Sequence, residues 1–263
     1  MAKKETVEET WRGFLTGTHP ALKRERRVWR VLPTAPRCKL CNAPFAGPGG
    51  VMMRLIGKQR SPKNPNYCNM CTIQTRKLRG GGAEIELSLL FADVRGSTTL
   101  AERMTPMEFS QLLNRFYGTA SRILIDSDAL VDKLVGDEVI GLYLPYVNAH
   151  PVKAIQAARD LLLATGHADP GGPWLPVGAG IHTGVAYVGI VGTEDTVFDL
   201  TALGDTVNIT ARLASLAATG EVLISDAAYA TAKLDLGDLE HRSLQLKGRS
   251  EPIGVRVLRV TPS

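Results

Sequence analysis

The chain has 263 residues, 44% apolar and 22% charged, ordinary globular values that exclude disorder throughout. No run approaches the ~20 apolar residues of a membrane span. The start, Met1-Ala2-Lys3-Lys4-Glu5-Thr6, lacks the apolar stretch of a secretory signal, so a cytoplasmic location is expected. The net charge of +5 hides a split: residues 1–82 hold 17 of the 31 Lys and Arg but only 4 of the 26 Asp and Glu. All four cysteines also lie in this basic front, and the remainder of the chain is net acidic, which marks two units with different surroundings.

Residues 5–30 carry a helix-compatible pattern with Trp11, Phe14 and Leu15 clustered, broken at His19-Pro20, and define an N-terminal helical segment, 1–32. Residues 33–72 are rich in Pro, Gly and Asn and cannot build a core without a staple. Cys38-Lys39-Leu40-Cys41 and Cys68-Asn69-Met70-Cys71 form two Cys-x-x-Cys knuckles with 26 residues between them. Disulfides are disfavoured without a signal peptide, and four thiolates so paired suit a structural Zn²⁺. An iron–sulfur cluster uses the same ligands, and redox-active free thiols are a third reading. Gly47-Pro48-Gly49-Gly50 and Ser61 to Asn66 read as loop between the knuckles. A metal-stapled module over 33–76 is expected, then a linker at 77–84 built on Gly80-Gly81-Gly82. The positive charge admits nucleic acid or another anionic partner for this module; a regulatory role toward the acidic unit is the preferred expectation.

From Ile85 the texture changes to apolar strands alternating with helical stretches. Strands are expected at 85–94, 129–135, 139–144, 177–182, 185–191 and 221–224, with two more flanking Lys247-Gly248. Thr183-Gly184 reads as the turn between two of them. Helices are expected at 97–104, 106–125, 151–165 and 205–218. This order implies a mixed sheet with helices packed on it, an α+β fold.

Asp93 ends the first strand and precedes Val94-Arg95-Gly96-Ser97-Thr98, which places a hard-metal ligand beside the backbone N–H groups of a helix start. Asp137 sits in the hairpin turn Gly136-Asp137-Glu138. Each aspartate alone also reads as an N-cap or a turn residue; two at adjoining strand ends could bridge divalent cations over a triphosphate. Asn208 and Arg212, four apart on an expected helix, reach one face. His182 reads as structural. No Ser-His-Asp or Cys-His nucleophile arrangement is evident.

Phe91-Ala92-Asp93-Val94-Arg95-Gly96-Ser97-Thr98 resembles the first metal motif of the class III nucleotidyl cyclases, and Lys133-Leu134-Val135-Gly136-Asp137-Glu138 resembles their second. Thr201 to Leu213 (Thr-Ala-Leu-Gly-Asp-Thr-Val-Asn-Ile-Thr-Ala-Arg-Leu) is similar to the motif with their substrate and transition-state residues. The resemblance covers 85–260 and implies the family's ferredoxin-like mixed sheet. It implies that Asp93 and Asp137 hold two Mg²⁺ or Mn²⁺ per site, that Lys133 and Thr201 read adenine, and that Asn208 and Arg212 orient the ribose and stabilise the transition state. Lys247 resembles the late lysine that meets the triphosphate. Threonine at 201, where aspartate is more familiar, resembles the IIIb subgroup.

What the resemblance implies is an adenylyl cyclase making 3′,5′-cyclic AMP and pyrophosphate from ATP, working as a head-to-tail homodimer with composite sites. ATP over GTP also follows from chemistry: an ammonium donates to adenine N1, whereas guanine presents a protonated N1. Two alternatives stand beside this. One is a catalytically silent nucleotide-sensing or scaffold protein of the same fold; the other is a nucleic-acid-binding protein acting through the basic module.

Overall fold

The computed structural model describes residues 6–32, 35–62, 64–71, 81–192 and 198–261. Residues 77–80 of the expected linker, and 72–76 of the expected module, lie outside them. Two compact units are present. The first combines Met1–Ile85, Leu144–Asn148 and Ala186–Leu203; the second combines Glu86–Tyr143, Ala149–Val185 and Gly204–Ser263. No helix among the described residues is long and apolar enough to cross a membrane.

The first unit begins with α1 (Val7–Leu15), entered through a capping box in which Thr6 and Glu9 satisfy each other's backbone N–H groups. α2 (Pro20–Trp29) follows, with Pro20 in its first turn, so His19-Pro20 does separate two helices. α1 buries Trp11, Phe14 and Leu15. Arg26 of α2 donates to the carbonyls of Leu40 (2.7 Å) and Gly17 (3.0 Å), which fixes that helix to the first knuckle. The stretch after that knuckle is not all loop: α3 spans Gly47–Leu55. Pro48 is tolerated in its first turn, and Gly50 is required because a Cβ there would lie 2.6 Å from the Phe45 carbonyl carbon. Tyr67 and Tyr146 hydroxyls meet at 2.5 Å within this unit.

The strands are β1 (Gly81–Val94), β2 (Leu130–Val135), β3 (Glu138–Tyr143), β4 (Val177–Gly192), β5 (Phe198–Leu203), β6 (Glu221–Ser225), β7 (Glu240–Leu244) and β8 (Ile253–Arg259). They form one sheet in the order β2-β3-β1-β4-β6-β8-β7, with β5 paired to the end of β4. The pairing is mixed: β1 runs antiparallel to β3, and β4 parallel to β6. Between the strands lie α4 (Ser97–Arg103), α5 (Pro106–Asp126), α6 (His150–Ala164), α7 (Asp205–Leu216) and α8 (Asp226–Ala232). This is the expected α+β architecture, with three departures.

Gly81 and Gly82 belong to β1 and not to a linker. A Cβ on Gly82 would lie 2.4 Å from the Val188 carbonyl oxygen, so a backbone approach selects glycine there. β4 is one strand of 16 residues, with no turn at Thr183-Gly184. Thr183 is buried and its hydroxyl meets that of Ser88 at 2.6 Å; Gly184 makes room for Thr206, whose Oγ1 would lie 2.9 Å from a Cβ. Finally, β5 and α8 were not foreseen. Residues 226–232 are mostly alanine, and their helix is set by Ser225, whose Oγ accepts from the Ala228 N–H.

Alternation along β6 sorts the second unit's helices onto two faces. Val222 and Ile224 join the large core with Phe116 and Leu124 of α5, Ile155 and Leu161 of α6, and Ala228 of α8. Leu223 joins the smaller one with Ile209 and Leu213 of α7, Leu246, Val255 and Val257. α7 therefore packs on the opposite face from α5, α6 and α8, bedded on Gly178 and Gly180 of β4: added Cβ atoms would lie 2.9 Å from the Ala217 oxygen and 2.3 Å from the Ala214 nitrogen.

Candidate functional site

Asp93 and Glu138 face each other across the β1–β3 register, and the Val94 N–H donates to the Asp137 carbonyl at 3.1 Å. This brings the end of β1 against the β2–β3 turn and sets the Asp137 carboxyl near enough to Asp93 to raise its pKa. The turn is held from α5 by Tyr117, whose hydroxyl donates to the Gly136 carbonyl. The β2–β3 register slips between Val131 and Leu134, so Asp132 and Lys133 occupy a bulge, a device common beside active sites. The Lys133 side chain lies outside the described residues.

Three half-buried carboxyls, Asp93, Asp137 and Glu138, thus share one corner. Burial pushes Asp93 up to about 6; Arg95 opposes that shift and Asp137 adds to it. Burial also pushes Glu138 up to about 7, with Asp93 and Asp137 adding repulsion. Arg95 pairs with Asp93. Sequence reasoning missed Glu138, Tyr117 and Arg95. Glu138 was legible in principle, since it sits in the same hairpin signal as Asp137.

On α7, Asn208 is exposed and Arg212 half-buried, one helical turn apart. The helix starts after Gly204, at φ 126°, a backbone state that favours glycine. Thr206 docks its first turn by donating to the Val185 carbonyl at 2.5 Å. Lys247 is exposed on the loop between β7 and β8. Its neighbour Leu246 is buried against Ile209 and Leu213, Arg249 pairs with Asp205, and a Cβ on Gly248 would lie 3.8 Å from Arg212 Nη2. The Lys247 loop and the Asn208–Arg212 helix are therefore brought together. Thr201 lies on β5, in the first unit, and is buried. Among the described residues no hydrogen bond or ion pair joins Asp93 or Asp137 to Asn208 or Arg212. His182, buried at the heart of β4, shares a 2.8 Å hydrogen bond with Ser225, and burial lowers it to about 4; it is neutral and structural, as expected.

In the first unit the four cysteines are buried, free of disulfides, and their sulfurs lie within 4.8 Å of one another. Cys38 and Cys71 sulfurs are 3.9 Å apart, and Cys41 and Cys68 sulfurs 3.7 Å. The Cys68 N–H points at Cys38 Sγ (3.3 Å) and the Cys71 N–H at Cys68 Sγ (3.4 Å). Thiol donation from Cys41, then from Cys68 and Cys71, drives Cys38 toward its thiolate, while hydrogen bonding to Cys38 pushes Cys41 and Cys71 up. Lys58 is buried here and pairs with Glu25 at 2.6 Å. Burial works against its charge, but Glu25 and the nearby Cys41 and Cys68 hold the ammonium above its ordinary range.

A mixed sheet with acids at adjoining strand ends and an Asn/Arg helix on one face defines the class of nucleotidyl cyclase domains. The chain belongs to the adenylate and guanylate cyclase catalytic-domain family, which it matches over residues 83–257. An adenylate cyclase of Anabaena cylindrica is 27% identical over 189 residues, 67% of this chain and 37% of that protein. The chain thus spans well under half the length of the curated relatives it matches. Among solved structures, the adenylyl cyclase CyaB from P. aeruginosa is 28% identical with a TM-score of 0.56, covering 67% of this chain and 95% of that one. The guanylyl cyclase Cya2 is 25% identical with a TM-score of 0.62, covering 68% of this chain and 93% of that one.

Proposed function

We propose that the chain is an adenylyl cyclase that converts ATP to 3′,5′-cyclic AMP and pyrophosphate at composite sites formed by two copies. The observation that carries this is the approach of Asp93 and Asp137 to one another, while among the described residues no hydrogen bond or ion pair joins either of them to Asn208 or Arg212. A second copy, facing the first head to tail, completes two equivalent sites. Clustered carboxylate oxygens are a donor set that fits hard divalent cations, Mg²⁺ or Mn²⁺. Asp93 and Asp137 would hold two such ions, which would supply a lowered pKa for the ribose 3′-hydroxyl and charge neutralisation for the leaving pyrophosphate. Asn208 orients the ribose, and Arg212 meets the charge that develops on the α-phosphate with a guanidinium that is always protonated. Lys133 donates to adenine N1, Thr201 accepts from the exocyclic amino group, and Lys247 meets the triphosphate. Thr201 in that role supports a IIIb-like subgroup.

The cysteine cluster reads as a structural Zn²⁺ site in a module that regulates the catalytic unit. A tetrahedron with Zn–S bonds of about 2.3 Å has edges of about 3.8 Å, close to the sulfur separations of 3.7 and 3.9 Å. A multi-iron cluster interposes iron and sulfide atoms and spreads its outer thiolates further.

The test is incubation with ATP or GTP and Mn²⁺ or Mg²⁺, with the product identified and Asp137→Ala as control. Cyclic AMP from ATP, lost in the variant, is the expected result. Turnover of neither nucleotide by the dimer, or full activity in the variant, overturns the reading.

A further inference from the structure

Arg95 follows the last residue of β1, and its backbone N–H donates to the Pro176 carbonyl at 2.8 Å. Its side chain turns back on the site. One terminal nitrogen, Nη2, pairs with Asp93 Oδ2; the other, Nη1, donates to the carbonyls of Ser215 (2.9 Å) and Ala217 (3.3 Å). Those carbonyls close α7, where the last turn has no partners of its own and carries the negative end of the helix dipole. The Ser215 hydroxyl in turn donates to the Arg212 carbonyl at 2.9 Å. The Arg95 side chain is only 18% exposed and that of Asp93 26%, so solvent cannot cheaply take over the bond between them.

From this geometry we infer that Arg95 is a positioning residue: it presents Asp93 to the divalent ion and ties that carboxylate to the end of the helix carrying Asn208 and Arg212. This rests on the reading of Asp93 and Asp137 as metal ligands. A carboxylate with one oxygen held by a guanidinium offers the other in a fixed direction, and losing such an outer partner costs about 10–100-fold in metal affinity. Only a planar, forked donor spans a carboxylate and two carbonyls; an ammonium is a single point. In a dimer with shared sites, Asp93 and α7 of one chain serve different sites. The same guanidinium then links the metal half of one to the transition-state helix of the other.

Positioning and charge predict opposite signs. As a bare cation Arg95 repels the ion, so removing it would tighten metal binding; as a positioning group its loss weakens it. The experiment is a Mn²⁺ titration of the zinc-loaded full chain without nucleotide, read by the electron paramagnetic resonance of free Mn²⁺. Arg95→Met is expected to bind Mn²⁺ about 10–100-fold more weakly than wild type, and Arg95→Lys is expected not to restore it. Equal or tighter binding by Arg95→Met, or full rescue by Arg95→Lys, overturns the inference. Should Arg95→Met fail to give a cooperative melt, the lysine variant still decides, since it keeps the charge. Asp93→Asn in the same titration separates the two claims: unchanged Mn²⁺ binding there defeats the metal reading itself.

Discussion

The bed of α7 gives the sharpest test of how the fold supports the chemistry. Replacing Gly180 by alanine puts a methyl 2.3 Å from the Ala214 nitrogen and 2.8 Å from the Leu213 carbonyl carbon, where ordinary contact begins at 3.4 Å. Both atoms are helix backbone, so no side-chain rotation relieves the clash, and the helix must retreat by about 1 Å. Overpacking of this kind costs about 1–3 kcal/mol of stability. A catalytic group misplaced by about 1 Å can lose about 10²-fold in rate, and α7 carries Asn208 and Arg212. Gly180→Ala is therefore expected to cut kcat for cyclic AMP formation by roughly 10²-fold at saturating Mn²⁺-ATP, with the melting temperature lowered by several degrees. Mn²⁺ binding should weaken by less than kcat falls, because Asp93 and Asp137 are on other elements and α7 reaches Asp93 through the Arg95 side chain. Gly118→Ala is the control: that residue is exposed on α5 with nothing within 4 Å of an added Cβ, and it should stabilise by about 1 kcal/mol with activity unchanged. A Gly180→Ala protein that folds and keeps kcat within twofold of wild type would refute the reasoning.

Mixing Asp93→Ala with Arg212→Ala, each inactive alone, should restore part of the activity if two chains share each site; no recovery from mixed dimers argues for sites within one chain. Glu221 is pulled down to about 2 by Arg242, with the Ala218 N–H and Arg259 assisting. Its folded value lies below an unfolded one of about 4.3, so its contribution is complete above about pH 5 and fades as pH falls toward 2. Glu221→Gln should therefore melt lower than wild type at pH 7, by about 1–3 kcal/mol, and the gap should close in melts taken between pH 5 and 2. For the cysteine cluster, elemental analysis should find one zinc per chain, and Co²⁺ in its place should give thiolate charge-transfer absorption that Cys38→Ser abolishes. Co²⁺ bound without that absorption points to other ligands.

The approach of Asp93 to Asp137, the shared helix of Asn208 and Arg212 and the clustering of the four cysteines were legible because each rests on a short run of residues. What escaped depends on distant partners. Thr183-Gly184 has the composition of a turn, yet Gly184 is glycine because Thr206 approaches it, a fact no local window contains. The helical run from Gly47 was hidden by Pro48 and its glycines, of which Gly50 is glycine because the Phe45 backbone approaches it. Glu138 and Arg95 acquire meaning only once the β1–β3 register and the end of α7 are known. Tyr117 lies on a helix, and its hydroxyl reaches a turn 19 residues away that no local window contains.

The first compact unit is drawn from three separate stretches of chain, Met1–Ile85, Leu144–Asn148 and Ala186–Leu203. That has a consequence for anyone building chimeras. Fusing the first 85 residues to another catalytic domain would transplant Tyr67 without Tyr146, and Gly82 without the Val188–Gly189 backbone for which it is glycine. A working graft has to carry all three stretches, and so the recipient must be spliced in three places and not joined at one.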